Sequence, residues 1–449
     1  MTQQTPESSR LLPTMGAGML ALYGLGSMLG AGIYGLVGKA AGMLGGMVWA
    51  SFLLAMVAAL LTGLTYASLG SRYPRAGGAA YIIQRAFGRP MLSYVAGLCV
   101  VASGLTSMAT GSRVVAANLQ VLFGLNAVPL TVIAVLYLAV LCVVVWRGLR
   151  ESLWFNALCT FIEATGLIVV IVVGARFWGQ ADLFEMPVPS SGEQSLATTG
   201  LLLAQSAVLT FFAFLGFEDT LNVSEEVKNP ARNVPLGLIG AMIGATVLYL
   251  LIAITAVSVV HWDVLAAAPA PLGAVMERAA PWIPPNVYTA VTIFAVANTA
   301  LINFVMGSRL VFGMARQGLL PQVLTKIHPT RNTPHVAAVA IFLVATVLLF
   351  LGDVSQLAAA TVILLLAVFT LMNLAQVMLA NRNGEPAAPI RLPMIVPVLG
   401  GLICAVLLVV RAGTGETVAP TIAAGLLAAV IVLYFATKHT HRADATEPL

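Results

Sequence analysis

Apolar runs of about twenty residues follow one another along the whole chain, each long enough to cross a ~30 Å hydrocarbon core as a helix. Of 449 residues, 59% are hydrophobic and only 9% charged, with a mean hydropathy of +0.96. A chain of this length needs far more charge to cover a water-exposed surface. The sequence therefore reads as an all-α polytopic membrane protein with no polar stretch long enough for a separate soluble domain. Cys99, Cys142, Cys159 and Cys404 lie inside apolar runs without metal-ligand spacing and read as small core residues. The net charge of +5 fits loop topology rather than a nucleic-acid partner. Residues 1–10 are polar and the first apolar run is too long for a cleavable signal, so that run is expected to remain as a span.

Twelve transmembrane helices are expected, at 15–37, 45–70, 91–123, 129–146, 153–178, 200–222, 235–259, 286–314, 335–351, 355–380, 392–411 and 419–437. With the N-terminus inside, 17 Lys and Arg residues collect on the cytoplasmic side and 4 outside (Lys39, Arg176, Arg278, Arg411), and Arg113 stays within a span. This is the positive-inside pattern, and it puts both termini in the cytoplasm. Arg72, Arg75, Arg85 and Arg89 read as topology determinants and lipid-headgroup contacts.

Two spans carry interruptions at mid-depth. Span 1 holds four glycines between Gly26 and Gly35, each costing a helix about 1 kcal/mol relative to Ala. Span 6 carries Phe211-Phe-Ala-Phe-Leu-Gly216-Phe-Glu218-Asp219. Broken helices leave backbone groups unpaired, which a membrane tolerates only where protein or a water-filled cavity receives them. An amphipathic segment follows span 2 (76–88) and another follows span 7 (263–280), each leading into a long span. Units 1–5 and 6–10 thus match in order while lying opposite ways up, the pattern of an inverted-repeat transporter. The expected division is a cytoplasmic tail at 1–14, a first five-helix repeat at 15–180 and a second at 198–380. Spans 11–12 at 391–437 and a cytoplasmic tail at 438–449 complete it.

The half-helix that begins at Gly30–Gly32 offers free N–H groups and a partial positive charge, which suit a carboxylate. The half-helix that ends near Ala213–Gly216 offers free carbonyls, which suit an ammonium group. Facing each other at one depth, they describe a receptor for an amino acid's zwitterionic backbone. Tight packing of glycine-rich helices is the competing explanation, and two breaks at matched repeat positions argue against it.

These residues resemble the amino acid–polyamine–organocation transporter superfamily over spans 1 to 10. The resemblance rests on G-S-M-L-G-A-G-I-Y in span 1, the run Phe211–Pro235, and S-R-L-V-F-G-M-A-R-Q-G-L-L-P from Ser308. It implies a leucine-transporter-like 5+5 inverted repeat plus two C-terminal helices, working by alternating access. It places the substrate carboxylate at the backbone of Gly30, Ala31 and Gly32, and the amine at carbonyls of Met28, Phe212 and Leu215, beside Phe211 and Gly216. Phe212 would cap the substrate, and Ser107 would line the pocket with Ser103 and Thr106. Ala31 stands where relatives have Ser, so the backbone must do more there. Glu218 matches a gating glutamate, and Glu225 belongs to contacts that open and close on the cytoplasmic side.

In span 5, Glu163 stands where the resemblance to cationic-amino-acid members implies a lysine that replaces a sodium ion between spans 1 and 8. Burial disfavours a carboxylate's charged form, so Glu163 can take up and release a proton during transport. A sodium ligand and a purely structural role are the alternatives. Asn298 and Asn303 fall at the depth of that ion position, and Arg113 pairs with an acid or with another helix. The expected function is secondary transport of an amino acid across the bacterial inner membrane, proton-coupled, with sodium as the alternative ion and no cofactor. An exchanger, a cationic amino acid or polyamine transporter and a transport-dead sensor are the rival readings. With Glu218 as the only dedicated acid and Phe211, Phe212 and Phe214 nearby, the pocket favours neutral, apolar side chains. A channel would need a continuous polar stripe, and a membrane enzyme a paired acid/base or metal cluster. The sequence has neither.

Overall fold

The structure is a computed structural model. It describes residues 11–125, 127–187, 196–268, 270–350, 354–413 and 418–437, with the side chains of Ala31 and a few other helical residues left out. Residues 1–10 of the tail expected at 1–14 and the whole tail expected at 438–449, with Arg10, Lys438 and Arg442 from the charge count, lie outside it.

Among the described residues every regular element is a helix. The first half comprises α1 (Ala17–Leu44), α2 (Val48–Arg72), short α3 (Gly78–Phe87), α4 (Pro90–Phe123), α5 (Leu130–Arg147) and α6 (Leu149–Gly174). Next come α7 (Leu196–Phe211), a single turn α8 (Asp219–Asn222), α9 (Pro230–Val259), short α10 (Trp262–Ala267) and α11 (Pro271–Ala279), and α12 (Pro285–Arg316). The chain closes with α13 (His335–Phe350), α14 (Val354–Ala380), α15 (Ile395–Gly413) and α16 (Val418–Thr437). Proline opens α4, α9, α11 and α12, where its missing N–H costs nothing and its fixed φ suits the first turn. Nine helical stretches among the described residues are long and apolar enough to cross a membrane, and three shorter apolar helices accompany them.

Burial sorts these helices into layers. The stretches of α1, α4 and α12 are 59%, 61% and 67% buried, against 28% and 33% for those of α5 and α6. The first three therefore form the interior, and the other two present an outward apolar face carrying Leu136, Val140, Phe161 and Val172. Apolar side chains exposed in such numbers belong against lipid rather than water.

Both predicted breaks are present. Gly30 departs from helical geometry (φ −28°, ψ −159°) in the middle of α1. After α7 the chain passes through one 3-10 turn at Phe212–Phe214, an extended Leu215, and Gly216 at φ 118° before α8. A side chain is strained at that φ, and a Cβ on Gly216 would also lie 2.5 Å from Ser27 Oγ. The amphipathic segment expected after span 2 is α3, and the one after span 7 is the pair α10 and α11. α6 begins at Leu149 rather than at 153, and Glu163 stands near its middle.

Candidate functional site

The two breaks meet. A Cβ on Gly32 would lie 3.0 Å from the Ala213 Cα, so the main chains there are nearly in contact. Around this crossing is a cavity of about 230 Å³. Ser27, Met28, Gly30 and Gly32 line it from α1, and Ser103, Thr106, Ser107 and Thr110 from α4. Phe212, Leu215, Gly216, Glu218 and Asp219 come from the second break, Thr299 and Asn303 from α12, and Val362 and Leu365 from α14. Gly111, Val114 and Val296 extend the lining towards the ends where α4 finishes and α12 starts.

Bonds across the cavity wall join the two broken helices. Ser27 Oγ donates to Asp219 Oδ2 at 2.6 Å. The Gly216 N–H, freed by the break, donates to Glu218 Oε2 at 2.8 Å. Asn303 Nδ2 donates to Ser107 Oγ at 3.3 Å and to the Thr299 carbonyl at 2.9 Å. Tyr249, from α9 and fully buried, sets its hydroxyl 2.5 Å from the Met28 carbonyl and 2.9 Å from the Ala213 carbonyl. The Phe212 carbonyl accepts from Leu215 N–H at 3.2 Å. Two of the three carbonyls expected to meet an amine thus already hold a protein donor, but a carbonyl oxygen has two lone pairs and one stays available.

Most of the predicted residues come together here: Met28, Gly30, Gly32, Ser107, Phe212, Leu215, Gly216 and Glu218 all line the cavity. The side chain of Ala31 lies outside the described residues. Phe212 is 39% exposed, whereas Phe211 and Phe214 are buried. Phe211 does not line the cavity: it packs behind it, edge-on to Phe369 with ring centroids 6.4 Å apart. One helical step of about 100° turns adjacent aromatics to different faces, which puts only Phe212 at the cavity. Asp219 is a second wall carboxylate beside Glu218, so Glu218 is not the single acid the sequence reading assigned. Ser27 and Tyr249 were missed as well. Asp219 and Ser27 sit within the motifs already singled out, but Tyr249 lies in an ordinary apolar span and gives no local signal.

Glu163 is fully buried, and neither carboxylate oxygen has a hydrogen-bond partner among the described residues. The hydroxyls of Tyr34 and Tyr288 are likewise buried without a hydrogen-bond partner among the described residues. One and two turns earlier on α6, Thr160 and Asn156 bond with Asn298 of α12 at 2.9 and 2.8 Å, and Thr160 Oγ1 reaches the Leu22 carbonyl of α1 at 3.5 Å. The polar junction of α1, α6 and α12 is thus this cluster, with Glu163 beside it. Arg113 donates to the Leu349 carbonyl of α13.

Beyond α8, charge pairs tie the chain to α12. Glu225 accepts both terminal nitrogens of Arg316 at 2.9 Å and the Ala76 N–H at 2.7 Å. Its neighbour Glu226 is buried with Arg309, which is 0% exposed, at 3.1 Å. The Glu226 carbonyl also accepts the N–H groups of Thr14 and Met15. Arg309, counted from the sequence among the cytoplasmic charges, is therefore an interior pairing residue. Arg72 is corrected likewise: it is buried, and donates to the Leu379 and Pro386 carbonyls at 2.8 and 2.6 Å.

Among known proteins, the chain is 29% identical to the methylthioribose transporter of Bacillus subtilis (strain 168), over 89% of this chain and 88% of that one. It is 31% identical to the vacuolar cationic amino acid transporter 4 of Arabidopsis thaliana, over 78% of this chain and 60% of that longer relative. A branched-chain amino acid permease of Bacillus subtilis (strain 168) is 26% identical, over 86% and 85%. The amino acid permease family profile matches residues 19–437. A helical membrane protein with two facing helix breaks around one polar cavity, matched over nearly its whole length, belongs to the amino acid permease family, whose members are transporters and not enzymes.

Proposed function

We propose that this chain carries an amino acid across the bacterial inner membrane by alternating access, taking it up with a proton. In this reading it has twelve spans, the first ten forming a leucine-transporter-like inverted repeat, and both termini are cytoplasmic. The observation that carries it is the meeting of two broken helices at one cavity. The restart of α1 after Gly30 receives the carboxylate, and the Met28 carbonyl with the Asp219 and Glu218 carboxylates receives the ammonium group. A side chain leaving the backbone subsite then faces Val114, Val296, Val362 and Leu365, which suits a neutral, apolar residue. The Bacillus branched-chain permease agrees with that class. The paired acids favour a second reading, a cationic substrate, in line with the Arabidopsis relatives. With Glu225–Arg316 and Glu226–Arg309 joined on the cytoplasmic side, the cavity reaches towards the outside.

The test is a thermal-shift screen of the purified chain against the L-amino acids, polyamines and methylthioribose. A ligand that binds the folded state at 100 times its Kd stabilises it by about 2.7 kcal/mol, so a substrate should raise the melting temperature. If no amino acid does so at millimolar concentration, the substrate class is wrong.

Glu163 carries the coupling in this reading, since a carboxyl without a protein donor is most readily accommodated with its proton on. Glu163→Gln fixes the protonated form. It should leave substrate binding near wild type while removing the response of uptake to an imposed pH gradient. Unchanged pH dependence in proteoliposomes would rule out Glu163 as the proton carrier.

A further inference from the structure

The Tyr249 hydroxyl has one hydrogen to give, yet it lies 2.5 and 2.9 Å from two carbonyls that belong to different broken helices. Met28 precedes the α1 break and Ala213 sits in the 3-10 turn of the second. Both carbonyls sit beside interruptions of the helical ladder, and each oxygen has two lone pairs for accepting. A third helix supplies the donor they share. The ring is fixed from two sides, with Phe214 at 5.2 Å and Phe52 at 5.9 Å between centroids, so the hydroxyl is held in place rather than sampling rotamers. Nearer the cavity, Ser27–Asp219 ties the same two segments a second time.

We infer that Tyr249 is a positioning residue for ligand binding: its hydroxyl fixes the Met28 and Ala213 carbonyls relative to each other, and so sets how tightly the cavity holds an ammonium group. The inference rests on the reading of this cavity as the amino acid site. Met28 lines the cavity and Ala213 does not, so the hydroxyl acts from behind the wall without touching the ligand. A ligand ammonium that takes the second lone pair of the Met28 carbonyl meets an acceptor whose direction Tyr249 has already fixed. Orienting an acceptor beforehand raises affinity by lowering the ordering cost of binding.

The experiment compares the full-length protein with Tyr249→Phe, which keeps the ring and removes the hydroxyl. Amide hydrogen exchange should quicken at both breaks together, residues 29–33 and 213–217, and elsewhere stay as in wild type. The concentration of an equimolar L-amino acid mixture needed for half-maximal thermal stabilisation should rise about tenfold, the effect of losing one net hydrogen bond. The unliganded protein should melt close to wild type. Wild-type exchange at either break, or stabilisation of both proteins at the same mixture concentration, overturns the inference. If both breaks loosen but the mixture stabilises neither protein, the positioning role is supported and the amino acid reading is what fails. Should Tyr249→Phe not fold, 3-fluorotyrosine at 249 keeps the shape and strengthens the donor. It should slow exchange at both breaks, and unchanged exchange there overturns the inference.

Discussion

Arg309→Met should destabilise the protein by about 3–5 kcal/mol, because it strands the Glu226 carboxylate in the interior without its partner. Both side chains are at most 2% exposed, and the guanidinium makes its 3.1 Å contact in that buried setting. Burial holds Glu226 above the usual carboxylate range, and Arg309 opposes that shift. Without Arg309 the folded-state pKa rises further. A carboxyl whose pKa is raised by folding penalises the folded state above that pKa and stops doing so once protonated. The loss should therefore be largest at alkaline pH and shrink as pH falls. The double variant Arg309→Met with Glu226→Leu should recover most of it, since a well-packed apolar pair often replaces a buried ion pair at no cost. Thermal unfolding in one detergent across a pH series checks all three points. Equal losses at every pH would mean that an uncompensated charge is not the cause.

The second large effect is expected at the α1 break. A Cβ on Gly30 would lie 2.1 Å from Thr299 Oγ1 and 3.2 Å from Thr299 Cβ. Gly30→Val adds two further methyl groups where α1 already touches α12. The Thr299 hydroxyl can rotate aside, but its Cβ is fixed to the helix, so the valine must push the α1 backbone or α12. Overpacking of this kind typically costs about 1–3 kcal/mol. The strain falls on the wall itself, since Gly30 and Thr299 both line the cavity. Ligand affinity should fall by about ten- to a hundredfold, and unliganded stability by the overpacking cost itself. A ligand titration followed by melting temperature reads both quantities. Undiminished affinity would place the ligand away from this wall.

How much of this was legible in the sequence depends on the range of the interaction. Membrane spans are dictated locally, by length and hydropathy, so the helices appear where the apolar runs put them. The glycine cluster and the Phe211–Asp219 stretch were found for the same reason: a helix cannot run unperturbed through either, and the breaks fall at Gly30 and at Phe212–Gly216. Facing direction was harder. Phe211 and Phe212 are adjacent and chemically alike, and only the local 3-10 turn decides that one meets the cavity and the other Phe369. Long-range pairings were not legible. Glu226 and Arg309 are 83 positions apart, and counting basic residues by loop treats such an arginine as a surface charge. Tyr249 is the extreme case, since its partners are carbonyls and no side-chain pattern encodes a carbonyl beside a break on another helix. Glu163 was singled out locally, as a lone acid in an apolar run, whereas the Asn156–Thr160–Asn298 junction beside it joins residues far apart in sequence.

The central claim is that the cavity between the two breaks holds a transported amino acid, and uptake by proteoliposomes tests it most directly. Vesicles containing the wild-type chain should accumulate a labelled amino acid saturably under an inward proton gradient. Vesicles containing Gly30→Val should require about ten- to a hundredfold more of it for half-maximal uptake. Accumulation of none of the amino acids by the folded wild-type protein, or indistinguishable uptake by the two proteins, would contradict the account.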